Sequence, residues 1–348
     1  MSSVPVEKVR WLWYARIPIG ALTVVFGPAN TGKSTLMYDV LARLSRGDRM
    51  PCAAQLPPED DQVSNAFSVV AGIEDAPSHV ASVLDAAGAA MDCIALVDQS
   101  QFPNPDLGPL EQLPFLEEQI KQFRARTLYL DNLSEAYIAS TDANNEASVR
   151  RSLRPLSDMA KRLDISVVIV CHPKKGASAG DIREAISGSQ GVFNLARSVL
   201  YVAPVPNSNM VGIACAKSSY YPAHLVNTLA FRILSESDGE IDGQPVVGIP
   251  SVEWVPGRVP YTAQGLADAN AATLAAKQKN AIADALARGR VVKPVVDEEA
   301  PPAPPIPPPP VPPVPPAPPQ PAAERMARFM ASETNDAFAA RMMGLDKT

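Results

Sequence analysis

Short apolar runs alternate with amphipathic segments along most of this chain. Apolar runs of about four to eight residues between polar or turn residues are typical of buried strands. They predict strands at Ala21–Phe26, Ala66–Ile73, Cys93–Asp98, Thr127–Leu130, Ile165–Cys171, Ser198–Ala203, Met210–Ala216 and Leu229–Leu234. Apolar residues at helical spacing predict helices at Ser34–Arg46, Ser78–Gly88, Leu110–Arg124, Glu146–Leu163 and Ala267–Arg288. This alternation predicts an α/β fold with a mainly parallel sheet flanked by helices, and some antiparallel pairing among the last three strands.

The pattern breaks at a proline-rich segment near the C-terminus. Fifteen of the 21 residues from Pro301 to Pro321 are proline, which predicts an extended polyproline spacer. We therefore divide the chain into an α/β domain at 1–260, a helical extension and linker at 261–300, the polyproline linker at 301–321 and a short amphipathic helix or tail at 322–348. The last segment is either a frayed end without function or a tethered peptide that docks on a partner.

Composition excludes several classes of protein. The net charge of −6 is wrong for a protein that binds polyanions by bulk charge, so any contact with nucleic acid needs a local basic patch. The four cysteines show no C-x-x-C spacing, which argues against a zinc site. No apolar run approaches the ~18 residues of a membrane span, and we expect a cytoplasmic protein that does not bind membranes.

One motif carries most of the chemistry. The pattern G-x-x-x-x-G-K-[ST] is matched by Gly27-Pro28-Ala29-Asn30-Thr31-Gly32-Lys33-Ser34, between an apolar strand and an amphipathic helix. In such a P-loop, Lys33 reaches the β- and γ-phosphates, and the Ser34 hydroxyl ligates Mg²⁺, with Thr35 as a second hydroxyl nearby. A glycine-rich turn that binds nothing is the alternative. The strand and helix around the motif favour phosphate binding, so we expect ATP and Mg²⁺ as cofactors.

A P-loop also needs an acid on a second strand, which holds Mg²⁺ through water. Asp131 ends the apolar strand Thr127–Leu130, and an acid at the end of a strand beside the P-loop strand is the Walker B arrangement. A carboxylate that merely caps a loop is the alternative. The next residue is Asn132, at a position where many AAA+ ATPases carry the catalytic base. The base must therefore come from elsewhere in the chain, or the protein does not hydrolyse ATP.

Several further segments add to the P-loop. In order along the chain, they are Trp11–Trp13, Arg16–Pro18, Gly20–Thr23, Ala71–Asp75, Leu128–Leu133, Val168–Gly176, Ser187–Ser189, Asn194–Arg197 and Ala216–Tyr220. Their order and spacing resemble the RecA-like ATPases of the plasmid RepA hexameric helicase type, over roughly residues 10–260.

The resemblance implies roles for five more residues. Glu74 would be the general base that activates water, with Asp75 as its substitute, and His172 would sense the γ-phosphate. Arg197 would reach into the ATP site of a neighbouring subunit as an arginine finger, and Lys217 would be a second contact of that kind. The alternatives are a helix cap or solvated pair for the two acids, a structural histidine, and a surface salt bridge for Arg197.

The same resemblance implies an assembly and a substrate. ATP sites that need a neighbour require a homo-oligomer, which we expect to be a ring. The loop Lys174–Gln190 would contact single-stranded DNA, although an ordinary solvated loop would have a similar composition. We thus expect a replicative helicase or translocase whose tail recruits a replication or recombination protein. The alternatives are a recombination-mediator or DNA-repair ATPase on single strands, and an interaction module that ATP only switches.

Overall fold

The computed structural model describes residues 8–51, 66–72, 75–133, 142, 145–173, 181–183, 185–186, 189–235, 240–241, 244–245 and 248–287. All of them belong to the first of the two units into which the chain divides, Met1–Arg290. The polyproline linker at 301–321 and the tail at 322–348 lie outside the described residues, so their proposed structures stay predictions.

Strands and helices alternate along the described chain. The strands are β1 (Trp11–Trp13), β2 (Ile17–Pro18), β3 (Ala21–Phe26), β4 (Ser68–Ala71), β5 (Ile94–Val97), β6 (Thr127–Leu130), β7 (Ser166–Cys171), β8 (Ser198–Pro204), β9 (Val211–Ser218), β10 (Thr228–Leu234), β11 (Glu240–Ile241), β12 (Gln244–Pro245) and β13 (Ser251–Val259). The α-helices are α1 (Lys33–Arg46), α2 (Pro77–Ala86), α3 (Leu113–Gln122), α4 (Glu146–Leu163), α5 (Ser189–Leu195) and α6 (Ala263–Ala287).

The described residues form a nine-stranded sheet in the order β13-β10-β9-β8-β3-β7-β6-β4-β5. The six strands from β8 to β5 in that order, all within the described chain, run parallel to one another. Strands β9, β10 and β13 add to the β8 edge by antiparallel pairing. The predicted fold class, a mainly parallel sheet flanked by helices, is therefore confirmed.

The order of the sheet corrects one expectation. The strand that ends at Asp131 was expected beside the P-loop strand, but β7 lies between β3 and β6 and pairs with both. An apolar run predicts that a strand is buried, whereas the crossover connections decide which strands become neighbours. Asp131 consequently faces the P-loop across the end of β7.

Both faces of the sheet are covered by helices. Along β3, Leu22, Val24 and Phe26 pack into the core beneath α3, α4 and α5, whereas Val25 packs into the core beneath α1 and α2. Side chains of a strand alternate between the two faces, so a run that is apolar throughout fits only a sheet covered on both sides. This explains why the central strands were readable as unbroken apolar runs.

Local signals set where the helices begin and end. Gly47 follows α1 in the left-handed conformation, with φ of 71°, which is the usual helix end for glycine. The Asn145 side chain accepts a hydrogen bond of 3.1 Å from the backbone N–H of Ser148, and it thereby caps the start of α4. Such caps explain why α4 has the bounds that the sequence predicts.

The sequence did not predict β1, β2, β11, β12, β13 or α5. Strand β13 contains Pro256 and Gly257, which argue against a strand, and it lies at the edge of the sheet, where proline is tolerated. Helix α6 begins at Ala263, before the expected start at Ala267, and Leu266 in its first turns is completely buried in the core. The division of the chain at residue 260 stays a prediction.

Candidate active site

The P-loop and two further expected site residues lie at the same end of the parallel strands. The P-loop follows β3, Asp131 follows β6 and His172 follows β7, and these three strands are parallel. Ligands of open α/β sheets bind at the carboxyl ends of the strands. The described structure thus gathers the P-loop, the acid and the histidine in the place where a bound ligand is expected.

The P-loop is shaped by backbone that only small or turn-forming residues adopt. A Cβ atom added to Gly27 would lie 1.8 Å from the backbone oxygen of Val202 in β8, so a side chain there has no room. Asn30 and Gly32 have φ angles of 57° and 74°. Glycine, and among other residues asparagine in particular, adopt this left-handed region readily. The sequence match to the P-loop pattern therefore corresponds to a real backbone requirement.

The P-loop leads directly into the N-terminal end of α1. Gly32 is the N-cap, and no side chain caps the helix there. The first amides of a helix have no partner within the helix, and with the helix dipole they attract anions. Ser34 and Thr35, both partly exposed, lie in this first turn. The start of α1 is thus suited to bind a phosphate group.

The side chain of Lys33 is held in place within the P-loop. It is only 4% exposed, and its Nζ donates a hydrogen bond of 2.7 Å to the backbone oxygen of Pro28. Burial lowers the pKa of Lys33, while the charge of Asp131 acts in the opposite direction. The ammonium group is therefore close to the acid that was expected to hold Mg²⁺.

Asp131 lies in a cluster of hydroxyl groups. The carboxyl is 6% exposed, and its Oδ2 accepts a hydrogen bond of 2.8 Å from the hydroxyl of Tyr129. The Ser34 hydroxyl also lies near the Asp131 carboxyl. Burial raises the pKa of Asp131, and although the Ser34 hydroxyl and the bond from Tyr129 lower it, the negative charge of Asp75 raises it further.

This arrangement tests whether the site suits Mg²⁺. Magnesium prefers hard oxygen ligands and is usually held by one or two protein groups together with substrate phosphates. The Ser34 hydroxyl and the Asp131 carboxylate are such ligands, and they lie near enough for the hydroxyl to lower the pKa of the carboxyl. Lys33 is near enough for its charge to be felt by the same carboxylate. The donor set fits the metal.

The acidic segment after β4 is described in part. Glu74, the expected base, lies outside the described residues. Asp75 is exposed, and its charge acts on both Asp131 and Tyr38. The end of β4 therefore brings Asp75 towards Asp131. Nothing in the described part of the chain tests which of the two acids would activate water.

His172 is partly buried and follows the last residue of β7. The next residue, Pro173, forms an isolated antiparallel bridge with Ile186. Lys174 and Lys175, which were expected to touch DNA, lie outside the described residues, and within the described part of the loop Arg183 forms an ion pair with Asp181.

Arg197 and Lys217 lie at the opposite end of the strands from the P-loop. The backbone N–H of Arg197 bonds the oxygen of Leu22, five strand residues before Gly27, which is about 16 Å along β3 at the usual rise per residue. The Arg197 side chain is exposed. The structure therefore does not bring these two residues to the P-loop of their own chain.

Lys217 is engaged within its own subunit. Its Nζ donates hydrogen bonds of 2.7 Å and 3.0 Å to the backbone oxygens of Phe193 and Asn194. These oxygens lie at the end of α5, where a cation is favourable. Burial, and then the charge of Arg197, lower the pKa of Lys217. The lysine thus has a structural role beside Arg197.

Three buried residues near the P-loop were missed by sequence reasoning. Tyr129 stands two residues before Asp131, Tyr38 lies in α1, and Cys171 ends β7. Burial raises the pKa of the Cys171 thiol, with smaller effects from the charges of Lys33 and Asp131. Only the spacing of Tyr129 and Asp131, which places them on one face of the strand, was available as a signal.

None of the helices among the described residues is both long enough and apolar enough to cross a membrane.

Comparison with known proteins agrees with this geometry. A family model described as an AAA domain matches residues 2–178, slightly more than half of the 348 residues. The matched region contains the P-loop, Asp131 and His172. A search of curated proteins found no match. The chain belongs to the AAA domain family of P-loop ATPases.

Proposed function

We propose that this ATPase works as a ring-shaped homo-oligomer that couples ATP hydrolysis to movement along single-stranded DNA, as a helicase or translocase. The observation that carries the catalytic part is the position of Asp131, which lies near the Ser34 hydroxyl and the charge of the buried Lys33. The assembly and the DNA are supported by the resemblance to RepA-type helicases, and by a family that occurs in helicase-like proteins.

The P-loop residues bind and orient the triphosphate in this proposal. The amides at the start of α1 and Lys33 grip the phosphates, with the lysine exchanging its bond to the Pro28 oxygen for one to a phosphate oxygen. Ser34 and Asp131 would hold Mg²⁺, which when bound neutralises charge on the phosphates. His172 lies at the same end of the parallel strands as the P-loop and would sense the γ-phosphate.

The attacking water needs a base, and Glu74 is our assignment, with Asp75 as the alternative. Support comes from Asp75, the next residue along the chain, whose charge acts on Asp131. Glu74→Gln is expected to bind ATP with near-normal affinity and to hydrolyse it at least about a hundred times more slowly. If Asp75→Asn alone has that effect, the two roles must be exchanged.

Arg197 would complete the ATP site of the neighbouring subunit. Its exposed side chain and its distance from its own P-loop, about 16 Å along β3, suit a residue that acts on a neighbour rather than on its own site. Lys33→Ala and Arg197→Ala subunits should each be inactive alone. Mixed together they form some interfaces with an intact P-loop and an intact arginine, and activity should return there. Mixed assemblies without activity would refute the role in trans.

The decisive experiment measures ATP turnover with and without single-stranded DNA, together with strand displacement and the mass of the assembly. Stimulation by DNA with strand displacement is expected, and Lys33→Ala should abolish both. Stimulation without displacement would favour a mediator or repair ATPase. ATP binding without any response to DNA would favour a module that ATP only switches.

A further inference from the structure

The hydroxyl of Tyr129 is built into the proposed magnesium site. The tyrosine is completely buried in β6, and its hydroxyl donates a hydrogen bond of 2.8 Å to Oδ2 of Asp131. The Ser34 hydroxyl lies near both Tyr129 and Asp131. Tyr129 is therefore bonded to one of the two proposed metal-binding residues and lies near the other, and no motif of the P-loop or of the acidic strand assigns it.

The hydrogen bond from Tyr129 restricts the carboxylate in a specific way. A carboxylate has two oxygens, and a bond to one of them fixes the rotation of the group. Hydrogen bonds to a charged acceptor are the stronger kind. A Ser34 hydroxyl that is turned towards a metal cannot hold Asp131. The bond from Tyr129 then remains to hold the acid in place.

The position of the Tyr129 hydroxyl is itself fixed by packing. The ring of Tyr38 in α1 meets the ring of Tyr129 edge to face, with centroids 5.9 Å apart and an angle of 78° between the planes. Both rings are buried in the core beneath α1 and α2. A tyrosine held in this way keeps its hydroxyl at one point, which is a requirement for orienting another group.

We propose that Tyr129 is a positioning residue of the magnesium site: it holds Oδ2 of Asp131 and leaves the other oxygen aimed at a metal-bound water. The inference rests on the proposed function of the site, because it assumes that Ser34 and Asp131 bind Mg²⁺ together with ATP. Groups that orient the ligands of a metal typically change metal affinity by about 10–100-fold when they are removed.

The test compares Tyr129→Phe with the wild type and with Tyr201→Phe in the full chain. Tyr201 is also buried, in β8, and packs on Phe26 with ring centroids 4.9 Å apart. The binding of a fluorescent ATP analogue is titrated at increasing MgCl₂ concentration and in EDTA. Tyr129→Phe should need about 10–100-fold more Mg²⁺ for half-maximal binding. Its affinity in EDTA should be unchanged, because Lys33 and the loop amides are intact, and Tyr201→Phe should behave as the wild type.

Each other outcome has a clear meaning. An unchanged magnesium dependence of Tyr129→Phe overturns the inference while the proposed function stands. Equal losses of affinity with and without Mg²⁺, or a melting temperature far below that of Tyr201→Phe, would show that the hydroxyl serves only the fold, and this also overturns the inference. If the wild type binds no nucleotide at all, the proposed function fails and the inference fails with it.

Discussion

Two aspartates of this protein are equally buried, yet we expect opposite responses when each is replaced by asparagine. Asp131 and Asp39 are both 6% exposed. Asp39 accepts hydrogen bonds of 2.9 Å from Nε of Arg43 and 2.7 Å from Nε1 of Trp254. Burial is the largest influence on Asp131, and it raises the pKa of that carboxyl. Asp39 is thus paired directly with a cation, whereas burial disfavours the charged form of Asp131.

The signs follow from the charges. A carboxyl group whose pKa is raised by folding stabilises the fold most at low pH, and this contribution is lost as the pH rises above the pKa of the unfolded chain. At pH 7, Asp131→Asn should therefore stabilise the nucleotide-free protein by about 1 kcal/mol, a common gain when a functional residue is neutralised. Asp39→Asn loses a hydrogen-bonded ion pair to Arg43 and should cost about 2 kcal/mol.

Thermal unfolding and ATP turnover together test this reasoning. At about 2–4 °C for each kcal/mol in a domain of this size, the melting temperatures of the two variants should differ by roughly 6–12 °C, with Asp131→Asn the higher. ATP turnover should be lost in Asp131→Asn, and it should persist in Asp39→Asn below its melting temperature. If Asp131→Asn melts below the wild type, the reasoning about the buried charge is wrong. If it turns over ATP normally, the role in holding metal is wrong.

Three further substitutions have distinct expected results. Gly27→Ala would place its Cβ 1.8 Å from the Val202 oxygen, so the P-loop must shift. Equilibrium binding should then show an ATP affinity reduced at least about tenfold. Unchanged affinity would contradict the geometry. The Tyr38 hydroxyl is buried without a hydrogen-bond partner among the described residues. Tyr38→Phe should therefore raise the free energy of unfolding, measured in urea, by about 1 kcal/mol. A decrease would show that the hydroxyl has a partner. Hydrogen bonds from Arg162 and Lys121 lower the pKa of Glu117 to about 2. That contribution to stability is present above the usual pKa of glutamate and is lost as the pH falls towards 2. Because Arg162 is exposed, Glu117→Gln should cost only about 1 kcal/mol at pH 7 and nothing near pH 2, as urea titrations at the two pH values would show.

Much of the fold was predictable because its signals are local. The buried strands β3, β6 and β7 are runs of apolar residues, and the P-loop combines a fixed glycine pattern with a strand before it and a helix after it. The bounds of α4 follow from an asparagine cap and a regular apolar stripe. Strand β13 was missed because its Pro256 and Gly257 contradict strand propensity, and only pairing with β10 at the edge of the sheet makes it a strand.

The candidate site divides in the same way. Its phosphate-binding loop and its acid were found from motif and position, since these residues are required by chemistry in a recognisable order. The partners Tyr129 and Tyr38 were not found, because a buried tyrosine in a strand or a helix looks like any other core residue. Their importance arises from the tertiary packing of α1 against β6, which brings the Tyr129 hydroxyl to Asp131 and the Tyr38 ring to the Tyr129 ring.

The sequence by itself determined that this chain forms an α/β domain around a P-loop with a second acid at the end of an apolar strand. Both follow from interactions between residues that are near each other in sequence. Only the tertiary structure decided that β7 separates the acid from the P-loop strand. It also decided that Lys217 bonds the end of α5 and that Arg197 lies at the opposite end of the parallel strands from the P-loop. These arrangements depend on the order in which crossover connections place the strands, and local sequence does not encode that order.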